Sequence, residues 1–346
     1  MTPASTDAYL DTRVSLFAGR LWPDAALDAL IDADDAAVAG GLAHKGLSML
    51  APQAEQAGAS LEQRIVAQIL DETRVLIRPL AGEARDFLSF WTARFEMSNV
   101  KALLRSKMNG ERAAAALARL VPMGAFGRLD GEALAHAEDA GELLRRLEAG
   151  PYAGIVRHAR RAFEQSRDPF VLDAALDQGY YEGLVARAQP LEARFGAPLR
   201  GLMAALVDRI NLVWLLRYRF NYGLPPAQVY YLLIGARYDL PGARLRELAQ
   251  LGALPAVLAA LPAPWRARLT GARDIPDVFA RMERAGAEQA LRVLRGHAPP
   301  LARAFAYLIL RERDLRALRA VLRGHRLGLG AADIRLALQR APVRLH

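Results

Sequence analysis

The sequence predicts an all-α protein, and three observations predict it. Ala, Leu, Arg and Glu dominate, the residues of highest intrinsic helix propensity. Apolar residues recur at three- and four-residue intervals, as in Leu10, Val14, Phe17 and Leu21. Strand signals are scarce: there is no sustained two-residue alternation, and Asn109-Gly110 follows a helical pattern instead of linking two β-branched runs. Helices are punctuated by Gly and Pro, at Leu224-Pro-Pro226, Leu261-Pro-Ala-Pro264 and Ala298-Pro-Pro300.

Length and composition bound the rest. A chain of 346 residues is enough for two or three domains, each with a sizeable core. With no cysteine there is no disulfide framework, thiolate metal site or cysteine nucleophile. The opening segment lacks a basic stretch followed by an apolar one, so no secretory signal is expected there. The best apolar run, 305–310, is far shorter than the ~18 residues of a membrane span. A soluble, cytoplasmic protein is the expectation. Its 46 Lys and Arg against 37 Asp and Glu make +9, nearly all of it arginine. The three lysines, Lys45, Lys101 and Lys107, never follow a glycine, so there is no phosphate-binding Gly-Lys-Ser/Thr loop.

Taken in order, the helical segments repeat. Residues 97–110, 209–223 and 314–328 are each an apolar-periodic helix ending in basic residues and then glycine. Aligned on Arg105, Arg217 and Arg323, the copies lie 112 and 106 residues apart. A second landmark opens at Leu61, Leu172 and Val278, which precede those arginines by 44, 45 and 45 residues. A third, Gly150-Pro-Tyr152 and Ala263-Pro-Trp265, occurs in two copies. Chance matches do arise in so biased a composition: Val-Leu-Arg-Gly-His occurs at 293–297 and 321–325, a separation that fits no repeat. The doubly anchored spacing predicts three helical units of about 110 residues, 1–118, 119–232 and 233–346.

At these segments the chain resembles the C subunits of the archaeal and bacterial A/V-type rotary ATPases, equivalent to the d subunit of the eukaryotic vacuolar enzyme. The likeness is carried by Tyr9 and Arg13, by Asn99-Val-Lys-Ala-Leu-Leu-Arg105, and by Ala175-Leu-Asp-Gln-Gly-Tyr-Tyr-Glu182. Asn211-Leu-Val-Trp-Leu-Leu-Arg217 with Gly223-Leu-Pro-Pro226, and Leu318-Arg-Ala-Val-Leu-Arg-Gly324, complete it. It covers essentially the whole chain. The departures are Ala317 where the other copies have Asn99 and Asn211, an Arg-to-Gly spacing of five residues or six, and no Pro-Tyr landmark in the first unit. The resemblance implies three similar helical domains in a pseudo-threefold, funnel-like arrangement, peripheral on the cytoplasmic face of the membrane. Its partners would be the central shaft subunits and the membrane proteolipid ring. It implies a coupling piece with no active site, cofactor, metal or small-molecule substrate of its own, since ATP chemistry and ion passage belong to other subunits.

The candidate contact residues are the basic helix ends. Arg316, Arg319, Arg323 and Arg326 share one helix face, turned away from Leu315, Leu318 and Leu322; Lys101 and Arg105 are the first copy's counterparts. They suit a cationic surface that docks an acidic partner through forked guanidinium donors. They equally suit cations that complement the helix dipole, with glycine at the C′ position. Asn211, inside a helix apolar nearly all round, reads as a structural amide in a packed junction. The six histidines form no ligand pair, and Asp28, Asp32, Asp34 and Asp35 lack the pattern of a calcium loop, so a solvated turn or helix start is expected there. Gly328-Leu-Gly330 has no preceding strand and is no dinucleotide fingerprint. No Gly-x-Ser-x-Gly elbow occurs. Two other readings remain: a nucleic-acid binder, although no basic tail stands out among the dispersed arginines, and a helical scaffold, whose repeats usually run about 30–50 residues.

Overall fold

A computed structural model describes residues 3–51, 59–166, 168–235 and 238–340. Among these residues there are eighteen α-helices and no strand, as the sequence predicts. The first six are α1 (Pro3–Ala18), α2 (Asp24–Ile31), α3 (Asp35–His44), α4 (Leu61–Ile77), α5 (Gly82–Met108) and α6 (Ala113–Leu117). The next six are α7 (Gly131–Ala135), α8 (Ala140–Glu148), α9 (Ala153–Ser166), α10 (Pro169–Phe195), α11 (Ala197–Leu216) and α12 (Pro226–Tyr231). The last are α13 (Gly242–Gln250), α14 (Leu254–Ala259), α15 (Ala263–Leu269), α16 (Ile275–Arg295), α17 (Pro300–Arg326) and α18 (Ala331–Arg340). No described helix is long and apolar enough to cross a membrane.

Local signals account for the helix starts. Ser60 and Gln63 form a capping box at α4, and Asp34, Asp130, Asp139 and Asp274 each accept the N–H three residues on, at α3, α7, α8 and α16. Pro226 and Pro300 stand at the first positions of α12 and α17, where a missing N–H costs nothing.

The helices group into two compact units. One comprises Met1–Arg85, Leu191–Leu206 and Arg268–Arg344; α17 runs through it against α16, α1, α4, α18 and α2. The first half of α17 is buried nearly all round, from Leu301 through Leu310, and its second half buries Leu315, Leu318, Val321 and Leu322 along one face. The other unit comprises Asp86–Pro190 and Val207–Ala267. Its helices α5 and α10 approach closely because Gly183 has no side chain: a Cβ there would lie 2.8 Å from the Phe90 ring. Phe90 stacks on Tyr180, whose hydroxyl donates to the Trp91 carbonyl at 3.1 Å. In α11, Ile210 and Leu212 through Leu216 are all buried, as their all-round apolar pattern requires.

Candidate partner interface

The three basic helix ends stop on the same glycine conformation. Gly110, Gly223 and Gly328 take φ of 66°, 66° and 64°, the left-handed C′ conformation that glycine adopts without a Cβ clash. After α5 and α17 the next N–H bonds back five residues, Glu111 to Ser106 and Leu329 to Gly324, as in a Schellman end. The second copy differs. Arg217–Asn221 form a π-helical turn, and Leu224 bonds back six residues to Tyr218. That extra residue absorbs the one-residue longer Arg-to-Gly spacing, so the insertion is a π-bulge and the glycine keeps its place.

The basic residues themselves divide. Lys101 is buried, and its ammonium donates to Asp177 of α10 at 2.6 Å; Arg105, exposed, lies 3.1 Å from Asp173. Burial pushes the Asp177 carboxyl up to about 6 against the opposing pull of Lys101, and burial likewise raises Asp173. In the third copy Arg316 is bound by Glu283, with Glu312 at 3.6 Å, and Arg319 donates to both oxygens of Glu62 at 2.8 Å. Arg323 and Arg326 stand exposed in the last turn of α17. Lys101, Arg105, Arg316 and Arg319 are thus engaged by carboxylates of this chain. Helix periodicity points to the dipole or to docking and is blind to this third use.

Behind each basic end lies a feature that sequence reasoning missed. Nine residues before each aligned arginine stands a buried acid: Glu96, Asp208 and Asp314. Glu96 accepts the N–H groups of Arg128 and Leu129 at 2.7 and 2.9 Å, and the Tyr152 hydroxyl at 2.6 Å. Burial and this carboxylate together hold the Tyr152 phenol far above its usual range. Asp208 accepts from the N–H groups of Asp239 and Leu240 at 3.0 and 3.2 Å. Asp314 accepts from the Trp22 N–H at 2.7 Å, and burial raises its carboxyl to about 7. The signal was present: an acid at the same register in all three aligned segments.

Three residues further on, Asn99 and Asn211 clasp one backbone unit each. Asn99 donates to the Val121 carbonyl and accepts its N–H, both at 2.8 Å; Asn211 does the same with Ile234 at 3.1 and 2.8 Å. Asn211 is therefore the junction amide its setting predicted. A cleft of about 410 Å³ lies beside Asn99, walled by Leu103, Leu117, Leu120, Val121 and Met123. Of the acidic cluster, Asp34 caps α3 while Asp28 and Asp32 bind Arg335. Among the described residues no group of three His, Asp or Glu could hold a metal ion.

Fold and site together define a class: an all-α protein whose buried acids and amides hold backbone segments against its long helices. Comparison with known proteins gives the family. Residues 10–336 match the ATP synthase (C/AC39) subunit family, and the chain belongs to it. It is 23% identical to the C subunit of the A-type ATP synthase of Methanocaldococcus jannaschii over 258 residues, 73% of this chain and 64% of that one. It is 25% identical to the corresponding A-type C subunit of Methanosphaera stadtmanae over 55% of this chain and 49% of that one. The C subunit of the V-type ATP synthase of Deinococcus radiodurans is 26% identical over 50% and 51%. These alignments span about half to two thirds of the relatives' lengths.

Proposed function

We propose that this protein is the non-catalytic coupling subunit of the central rotor in an A/V-type ATPase, seated between the shaft and the membrane proteolipid ring. The observation that carries the reading is the family match across residues 10–336, joined to the threefold spacing of the helix ends. In this reading the three repeats are similar domains in a pseudo-threefold arrangement. The protein works as a peripheral subunit on the cytoplasmic membrane face, for ATP-driven ion transport or ATP synthesis, without an active site of its own.

The physical demand on such a part is stiffness together with two interfaces. Cores at near-crystalline density resist compression, and the buried carboxylate and amide clasps tie loops to long helices, which suits a body that transmits torque. Arg323 and Arg326 are exposed at the end of α17, where forked guanidinium donors suit an acidic partner. Deletion of the subunit tests the reading. ATP hydrolysis by the soluble motor should persist while ion movement stops following it; ion pumping still coupled to hydrolysis after clean deletion overturns the proposal. Recovery from detergent extracts should bring shaft and ring subunits with the protein.

A further inference from the structure

One position recurs in the short helix that follows each basic end. Counted from the aligned arginines, and allowing the π-turn its extra residue, Leu117 of α6, Tyr230 of α12 and Arg335 of α18 correspond, at 12, 13 and 12 residues. Each of these helices packs against another short helix: α6 against α7, α12 against α13, and α18 against α2. The position therefore stands beside the same kind of gap three times.

Two copies cross this gap with a side chain of their own. Tyr230 lies against Gly242, the first residue of α13: a Cβ there would come within 3.1 Å of the phenol oxygen and 3.9 Å of two ring carbons. Arg335 reaches α2, where its Nε donates to Asp28 at 3.0 Å and its Nη2 to Asp32. Leu117 does neither, being shorter and without a polar tip. At Gly131, the first residue of α7, the nearest side chain beyond the chain neighbours is Leu120, 3.2 Å from where a Cβ would stand, and Leu117 comes no closer than 4 Å. The cleft of about 410 Å³ beside Asn99 is what remains, and Leu117, Leu120, Val121, Gly131 and Leu134 line it. Their counterparts Tyr230, Leu233, Ile234, Gly242 and Leu245 line a cavity of about 250 Å³ in the second copy. The two cavities are one niche, with a tyrosine ring in place and without it.

We infer that the niche of the first copy is an acceptor site for an aromatic, tyrosine-like side chain projecting from a partner protein. The second copy supplies the occupant's chemistry, a phenol ring laid against the first residue of the next helix. An arginine would lack its anchors. Four residues into α7, where α2 has Asp28, stands Ala135, and Asp139 at the position of Asp32 is taken up in capping α8. Glu96 and Asn99 also line the cleft, but both already accept backbone N–H groups of this chain and call for no charged occupant. Leu103, Leu120, Val121 and Met123 make the walls apolar, and apolar cavities take up aromatic rings. Aromatic anchors that fill pockets carry much of the energy of protein interfaces. That the partner is a shaft or ring subunit rests on the function proposed above; the chemistry of the niche does not.

p-Cresol, which is the tyrosine side chain cut free, probes the niche, and methyl NMR on the intact chain reads its binding. It should shift the methyl signals of Leu117, Leu120, Val121 and Met123 and saturate at about millimolar concentration. Leu117→Tyr writes the second copy's residue into the first and should weaken p-cresol binding at least about tenfold. The same variant should lower recovery of shaft or ring subunits from detergent extracts at least about threefold. Leu117→Ala keeps the niche open and should change neither. Wild-type methyl signals that p-cresol leaves unmoved, binding that survives Leu117→Tyr, or full recovery with that variant overturns the inference. Should Leu117→Tyr not fold, the wild-type titration decides. If the wild-type chain recovers neither shaft nor ring, the rotary reading fails, and p-cresol alone decides on the niche.

Discussion

Each unit buries a cation against an acid, and the two centres are built differently. In the unit with α17, Arg311 donates to Glu72 through Nε at 3.0 Å and Nη2 at 2.8 Å, and Tyr307 and Gln68 donate to the same carboxylate at 2.5 and 2.7 Å. In the other, Lys101 meets Asp177 through one contact of 2.6 Å. A planar guanidinium engages both carboxylate oxygens and leaves room for further donors, whereas an ammonium acts as a point charge. The Tyr307 phenol, buried and facing Glu72, is held well above its usual range and stays a donor. Asp177, less completely surrounded by donors, has its carboxyl raised to about 6. The Glu72 carboxylate is thus ringed by donors from three side chains, while Asp177 has the single ammonium and is raised by burial.

The sharpest break of this contrast is Glu72→Ala. It leaves Arg311 buried without its anion, and an arginine does not neutralise itself. Loss of about 3–5 kcal/mol is expected in denaturant unfolding. A loss under about 1 kcal/mol would show that water reaches the guanidinium and that the network is not sealed.

Lys101→Met probes the other centre with a smaller expected effect. Removing the ammonium raises the Asp177 carboxyl further, so the acid escapes by binding a proton. At pH 8 the cost should be about 1–3 kcal/mol, and at pH 5 it should nearly vanish. The wild-type protein carries the same sign. Because Asp177 titrates near 6 when folded and near 4 when unfolded, its contribution to stability is present below about pH 4 and is lost as pH rises through 6. Thermal unfolding across pH 4 to 7 should show this component, and Asp177→Asn should remove it.

The smallest effect on stability is expected at the exposed helix end. Arg323→Glu touches no buried group, so its unfolding free energy should stay within about 0.5 kcal/mol of wild type. Recovery of the shaft or ring with the Arg323→Glu, Arg326→Glu double variant should fall. Unchanged recovery would assign these cations to the helix dipole.

How much was legible beforehand depends on range. The α-helical class, the three glycine-terminated ends and the role of Asn211 follow from local rules: propensity, the positive φ that favours glycine, and the need of a buried amide for partners. The family likeness rested on the same segments, and the match over residues 10–336 agrees with it. The π-turn at Arg217–Asn221 was visible only as an odd spacing. The acids at 96, 208 and 314 shared a register but looked like any charges in a charged helical chain.

Determined by the sequence alone were the helices, their stops and the recurrence of their ends, because each depends on neighbours within a few residues. Tertiary structure decided which charges are used up inside the molecule. Arg316 and Arg319 read as part of one cationic face and Lys101 and Arg105 as their counterparts in the first copy, yet Asp177, Asp173, Glu283 and Glu62, between 33 and 257 residues away, claim them. A helix face says which side chains point together; only the helix packed against it says whether they point at water or at an acid.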